Sequence, residues 1–264
     1  MLIDYHVHAL AHGEYEYSLA WIEEYLRRAQ AQNLSQIGFS DHDWFEDRIE
    51  VELIKGVAAR PEFDGLMVRV GIEVDYKPER EPEIRRILAQ KPYDFAIGSV
   101  HHLGEWMFDH PDYKDGFLER EIEEIYQVYY SLVERAVKSN LFDIVGHLDL
   151  IKVWGVKPTT RQENYFLKPL LHVMRKAGTV VEINTGGLRK PVREMYPSEV
   201  LLRDLFAHNI PITFGSDAHH PEELGSGLYE ALQTAWRVGY RKASGFARRQ
   251  SISYPLSEIR RGIS

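Results

Sequence analysis

Apolar positions along this chain fall into two alternating periods. Short apolar runs around 2–8, 36–40, 66–74, 93–100, 142–146, 179–184 and 211–215 read as β-strands, and the stretches between them carry apolar residues every three or four positions, the helical period. Residues 18–33 show the second pattern clearly. Trp21, Ile22, Tyr25, Leu26 and Ala29 share one face, Glu and Arg residues occupy the other, and Ser18 stands where an N-cap belongs. Further helices are expected over 51–59, 81–90, 118–139, 163–177, 198–208 and 229–238, with a short edge strand near 250–254. Residues 103–116 follow neither period. This aromatic, acidic and Pro-containing insertion is the kind of long loop that lies where substrate enters an α/β protein.

Strands alternating with helices imply parallel βαβ units. Seven such units in 264 residues, with no linker or low-complexity run between them, predict one domain spanning 1–264. The length favours a closed or nearly closed barrel over an open sheet.

Composition narrows the chemistry. Hydrophobic content of 44% and charged content of 27% are ordinary globular values. A net charge of −8 argues against a nucleic-acid surface, although a small phosphate ester needs only a local cationic site. There are no cysteines, so any metal must be held by His, Asp and Glu. No apolar run approaches the ~18 residues of a membrane span. The N-terminus runs straight into a strand without a basic leader, so a cytoplasmic enzyme is expected.

The ends of the predicted strands carry the reactive side chains. Of twelve histidines, nine lie at or just past a strand end: His6, His8, His12, His42, His101, His102, His147, His219 and His220. His110, His172 and His208 do not, and read as surface residues. On the first strand, alternation places Asp4, His6 and His8 on one side, and two imidazoles so spaced can clamp a transition metal. In an α/β barrel the strand ends converge on one mouth, which would bring Glu73 and Asp217 beside these imidazoles. So many ligands exceed what one zinc takes and suit two or three ions, with Glu73 as a bridging carboxylate. Paired metals about 3.5–4 Å apart serve phosphoryl transfer.

Six segments occur in a telling order: Asp4-Tyr-His6-Val-His8, Ser40-Asp41-His42, Gly71-Ile-Glu73, Gly98-Ser-Val-His101, Gly146-His147-Leu-Asp149 and Gly215-Ser-Asp217-Ala-His219. Together they resemble the polymerase and histidinol phosphatase (PHP) family over nearly the whole chain. The resemblance implies a distorted (β/α)7 barrel with a trinuclear centre at the C-terminal ends of the strands. It implies His6, His8, Glu73 and Asp217 for the first metal, and Glu73, His101 and His147 for the second. It implies His42 and His219 for the third, where His12 is the remaining candidate. His12 follows His8 by fewer residues than in similar members, so a solvated loop residue is the competing reading. Zn, Fe and Mn all suit such N/O ligation.

Within the family, the stretches 98–111, 146–152 and 182–191 resemble the histidinol-phosphate phosphatase branch. The implied activity is hydrolysis of L-histidinol phosphate, by in-line attack of a hydroxide held between metals. Arg189, after a Gly-Gly turn at a strand end, is the expected phosphate-gripping guanidinium, and Lys152 a second cation. Trp106 and Asp109 are expected to hold the imidazole and amine of the substrate, and Asn184 to make a polar contact near the metals. Glu73, Asp217, His219 and Arg189 are the catalytic candidates, with His219 or Asp217 as conceivable proton donors. Asp4, Asp149 and Asp41 are expected to orient imidazoles, and His102 and His220 to be non-ligands. Two other readings stand beside this one: a phosphodiesterase or 3′–5′ exonuclease, and a metal-binding protein without hydrolase activity.

Overall fold

The computed structural model describes residues 2–256. Met1, residues 257–264 and the side chains of 160–164 lie outside the described residues, and so do the two ends of the expected 1–264 domain. Chain order runs β1 (Ile3–Val7), α1 (Leu19–Ala31), β2 (Gln36–Phe39), α2 (Val51–Ala58), β3 (Met67–Asp75), α3 (Glu81–Gln90), β4 (Phe95–Ser99), β5 (His102–Leu103) and β6 (Trp106–Met107). It continues with α4 (Ile122–Ser139), β7 (Ile144–Val145), α5 (Thr160–Ala177), β8 (Val180–Asn184), α6 (Glu199–Ala207), β9 (Ile212–Gly215), α7 (Leu228–Val238), β10 (Lys242–Ala247) and β11 (Gln250–Pro255).

Seven strands form one parallel sheet in the order β1-β2-β3-β4-β7-β8-β9. The sheet curls until β9 meets β1. There Val7 bridges Ala218 in parallel, the His8 amide donates to the Ala218 carbonyl (2.8 Å), and the Ala218 amide donates to the His6 carbonyl (3.3 Å). The result is a nearly closed, distorted (β/α)7 barrel. Asp4 stitches this seam: its buried carboxylate accepts the amides of Ser216 (2.8 Å) and Gly225 (3.0 Å). The register of β1 against β2 shifts between Asp4 and Val7. Such irregularities re-aim side chains.

The N-terminal ends of the strands are sealed by apolar packing and by the antiparallel hairpin β10–β11. Tyr5 sits against Phe95 (4.8 Å) and Phe246 (5.8 Å), donates to Gln36 Oε1 (2.5 Å) and accepts the Phe246 amide (3.0 Å). Phe95 presses so close to β3 that a Cβ at Gly71 would lie 2.6 Å from its ring. Ser18 caps α1 as expected, accepting the Trp21 amide.

Three local expectations change. The fifth parallel strand is regular only over Ile144–Val145. The 103–116 insertion contains the small hairpin β5–β6. The edge strand at the end of the chain is paired with β10, whose Ser, Gly and Lys hide the strand period.

Candidate metal centre

Five of the strand-end imidazoles, those of His6, His8, His42, His101 and His147, turn toward one point, the carboxylate of Glu73, which is 1% exposed. Its Oε1 lies 3.0 Å from His147 Nε2, 3.3 Å from His6 Nε2 and 3.7 Å from His101 Nε2, and accepts a bond from Ser99 Oγ (2.6 Å). Its Oε2 lies 2.9 Å from His42 Nδ1 and 3.5 Å from His8 Nε2. Asp217 Oδ1 approaches His8 Nε2 (3.5 Å) and His6 Nε2 (3.8 Å) from the β9 side. The His8 ring is stacked on both His42 (4.3 Å) and His219 (4.4 Å). Three sets of donor atoms lie within 4.8 Å of one another: His8, His42 and His219; His6, Glu73 and His147; His6, His8 and Asp217.

The electrostatics are those of a site built for cations. Burial pushes the carboxyls of Glu73 and Asp217 upward, yet the surrounding histidines hold both well below the usual range, so both are anions. Burial disfavours charge on His6 too, but Glu182, Glu73 and Asp217 overcome it and hold that imidazole well above its ordinary value. Burial, with His42 and His219 alongside, drives His8 well below. Burial likewise lowers His219 to about 4 against the pull of Asp217. Neutral imidazoles offer lone pairs, and the buried atoms His6 Nε2, His8 Nδ1 and Nε2, Glu73 Oε2 and His219 Nε2 all lack a hydrogen-bond partner. Glu73 Oε2 is close to His42 Nδ1, but not in hydrogen-bond geometry. Leaving so many buried polar atoms unpaired is costly. The donor set, all imidazole and carboxylate, fits divalent Zn, Fe or Mn.

Other carboxylates brace the ring. Glu182 Oε1 receives His6 Nδ1 at 2.7 Å. Asp75 accepts the His101 amide (3.1 Å) and lies 2.8 Å from His102 Nδ1, which holds His102 to Asp75 rather than to Glu73. Asp41 does not touch an imidazole: it accepts the Leu10 amide (2.7 Å) and the Tyr17 hydroxyl, holding the loop after β1. Asp149 bonds the Ser198 amide (3.0 Å) and Lys152 (2.9 Å) rather than His147.

Comparison with known proteins fits this geometry. The family model described as PHP domain matches residues 4–186, and one described as PHP-associated matches 207–233. The chain belongs to the PHP domain family. A Deinococcus radiodurans protein named "Probable histidinol-phosphatase" is 36% identical, the match covering 91% of this chain and 95% of the relative. The histidinol-phosphatase of Bacillus subtilis is 31% identical over 63% of this chain and 68% of its own. Among solved structures, the histidinol phosphate phosphatase of Lactococcus lactis, complexed with zinc, L-histidinol and phosphate, superposes with a TM-score of 0.79 at 22% identity, covering 95% of this chain and 98% of that one.

In this PHP barrel the cluster opens into a cavity of about 80 Å³, walled by His12, His42, Trp44, His101, Met107, Asp109, Leu150, Val153, Lys190 and His219 above Glu73, His147 and Asp217. Several sequence expectations change here. His12 stands at the rim, 62% exposed and stacked on His219 (4.5 Å), outside the three compact donor sets. Trp106 is not on the cavity wall; its ring packs against Phe117 (4.9 Å) and its Nε1 donates to the Tyr113 carbonyl, so it pins the insertion loop. Trp44, stacked on His42 (4.5 Å, 17°), provides the aromatic wall instead.

Lys152 is buried, donating to the Met195 carbonyl (2.8 Å) and ion-paired with Asp149 (2.9 Å) and Glu194 (2.8 Å), so its charge is already answered away from the cavity. Asn184 is fully buried beneath the ring, bonding Glu182 Oε2 (3.2 Å) and Asp217 Oδ2 (3.4 Å) rather than facing the cavity. Arg189 spends Nη2 on the carbonyls of Ser216 (2.9 Å) and Asp217 (2.8 Å) and retains one unpaired nitrogen, Nη1. Asp217 has a left-handed backbone (φ 57°), which Asp tolerates better than most residues, and the guanidinium secures that turn. Asp109 does reach the cavity, with Oδ1 unpaired.

Sequence reading passed over Trp44, Lys190, Glu182 and Asp75. Trp44 follows closely on the Ser40-Asp41-His42 segment, and Glu182 and Lys190 lie inside the 182–191 stretch, the signals that pointed to them.

Proposed function

We propose that this chain is a metal-dependent phosphomonoesterase acting on L-histidinol phosphate, and so a histidine-biosynthesis enzyme, built as a single barrel domain over 1–264. A cytoplasmic location is part of the same reading; no helix among the described residues is long and apolar enough to cross a membrane. The observation that carries the proposal is the buried Glu73 carboxylate ringed by five imidazoles beneath a solvent-open cavity. The names of the relatives supply the substrate.

Two or three divalent ions would be held by His6, His8 and Asp217, by Glu73 with His101 and His147, and by His42 and His219 with or without His12. Such ions supply charge neutralisation at phosphoryl oxygens and a nucleophile at neutral pH. The protein's own contribution is placement. Glu73 keeps two sets of imidazoles at one spacing. Lys190, which has no side-chain partner among the described residues, brings an ammonium to the cavity wall for the incoming phosphate. Arg189 Nη1 is a second donor on the Asp217 side. Asp109, with its unpaired oxygen, faces the substrate's ammonium or imidazole, and Trp44 and Met107 pack against its apolar surface.

His219 Nδ1 lies 3.0 Å from the Asp217 carbonyl, an acceptor, so Nδ1 carries the proton and Nε2 a lone pair. That favours coordination over proton donation for His219. The anionic state of Asp217 argues the same for the carboxylate.

The test is phosphate release from L-histidinol phosphate against a panel of sugar and nucleotide monoesters, after chelation and re-addition of zinc, manganese or ferrous iron. Equal turnover of unrelated esters would defeat the substrate assignment. Degradation of single-stranded DNA would support the exonuclease reading, and metal uptake without ester hydrolysis the binding-protein reading.

A further inference from the structure

Glu182 lies in β8, between the strands that lead to His147 and to Asp217, and is 1% exposed. Three groups converge on its carboxylate. His6 Nδ1 lies 2.7 Å from Oε1, while the His147 amide (3.0 Å) and Asn184 Nδ2 (3.2 Å) both reach Oε2. The neighbouring strand leaves it no slack: a Cβ at Gly215 would stand 1.9 Å from Oε1 and 2.5 Å from His6 Cβ. One side chain therefore ties together β1, the turn after β7, and β8, with β9 packed directly against it.

We infer that Glu182 is a positioning residue for the metal centre. It fixes the proton of His6 on Nδ1, so that Nε2 presents its lone pair between Glu73 and Asp217. It also anchors the backbone from which His147 reaches Glu73. A neutral imidazole carries one N–H, and whichever nitrogen donates leaves the other free to coordinate. A carboxylate is the side chain that answers three donors at once. An amide of the same size has one accepting oxygen and one donating NH2. In E182Q the NH2 either meets the His147 amide and Asn184 Nδ2, donor against donor, or turns to His6 and forces the proton onto Nε2. Either arrangement weakens the centre. Carboxylates in this relation to a ligating imidazole raise its basicity and fix its orientation, and losing one costs on the order of 10- to 100-fold in metal affinity.

The inference rests on the metal-centre part of the proposed function, and its test does not use catalysis. Zinc affinity is measured by competition with a chromophoric chelator for wild type, E182Q and E182D, with thermal melts showing that each is folded. E182Q should bind zinc roughly 10- to 100-fold more weakly, and E182D should recover part of the loss. A folded E182Q with wild-type affinity, or an E182D no better than E182Q, overturns the role. If E182Q does not fold, 15N NMR of the zinc-loaded wild type decides: a proton on His6 Nδ1 supports the assignment and a bare Nδ1 refutes it. Failure to hydrolyse L-histidinol phosphate would sink the substrate reading and leave these results standing.

Discussion

Glu73→Gln is the most informative single change. The amide keeps the shape of the side chain and removes the one negative charge that faces five imidazole nitrogens at 2.9–3.7 Å. The position is 1% exposed, so solvent cannot replace the lost charge. Removing one partner from a buried ionic arrangement typically costs about 3–5 kcal/mol. At about 1.4 kcal/mol per tenfold, that is roughly two to four orders of magnitude in equilibrium constant. The loss should appear as weaker metal binding, read by chelator competition. It should appear in parallel as a similar or larger fall in kcat for phosphate release. Without metal the consequence is different: the imidazoles that hold Glu73 anionic lose that partner, so the metal-free variant should also melt lower. E73Q with metal affinity within threefold of wild type and undiminished kcat would refute the central place given to this carboxylate.

Four further outcomes follow from the same geometry. Lys190→Met removes the cation on the cavity wall that has no competing partner, and should raise KM about fivefold (~1 kcal/mol for a largely exposed charge pair) with a smaller effect on kcat; added salt should blunt the difference, and an unchanged KM would remove Lys190 from the phosphate site. Trp44→Ala should raise KM, whereas Trp106→Ala should lower Tm and leave KM near wild type; the reverse pattern would restore Trp106 to the substrate wall. Tyr5→Phe removes the buried hydroxyl that accepts the Phe246 amide and donates to Gln36, a loss of about 1–3 kcal/mol, or roughly 2–4 °C in Tm per kcal/mol for a chain of this size. Burial pushes the Glu194 carboxyl upward, but Lys152 and Lys157 outweigh it and hold it below its ordinary value; its stabilising contribution is therefore complete above the unfolded-state pKa and fades as pH falls through the folded one. The Tm gap between wild type and Glu194→Gln should shrink on acidification from pH 6 to pH 3, and a gap that widens would show the sign to be wrong.

The strand-helix alternation, the barrel and the convergence of His6, His8, His42, Glu73, His101, His147, Asp217 and His219 were all legible in the chain, because each depends on local signals. Apolar period sets element type, and a residue at the C-terminal end of a parallel strand has one place to go once the sheet closes. What lay beyond sequence was the partner each side chain finds across the fold. Lys152 and Arg189 were cations near the right strand ends. Only the packed structure shows that Asp149, Glu194 and the Met195 carbonyl surround the first, and that two carbonyls of the β9 turn hold one arm of the second. Trp106 and Trp44 were alike as aromatic loop residues until the insertion folded one against Phe117 and the other onto His42. Glu182 stood at the head of the 182–191 stretch with no role attached, since a buried carboxylate gains its meaning from the three donors aimed at it, two of them from other parts of the barrel. Type and order along a strand are written locally, whereas the occupancy of a hydrogen-bond donor is a property of whatever lies within 3 Å after folding, and that the tertiary structure alone decided.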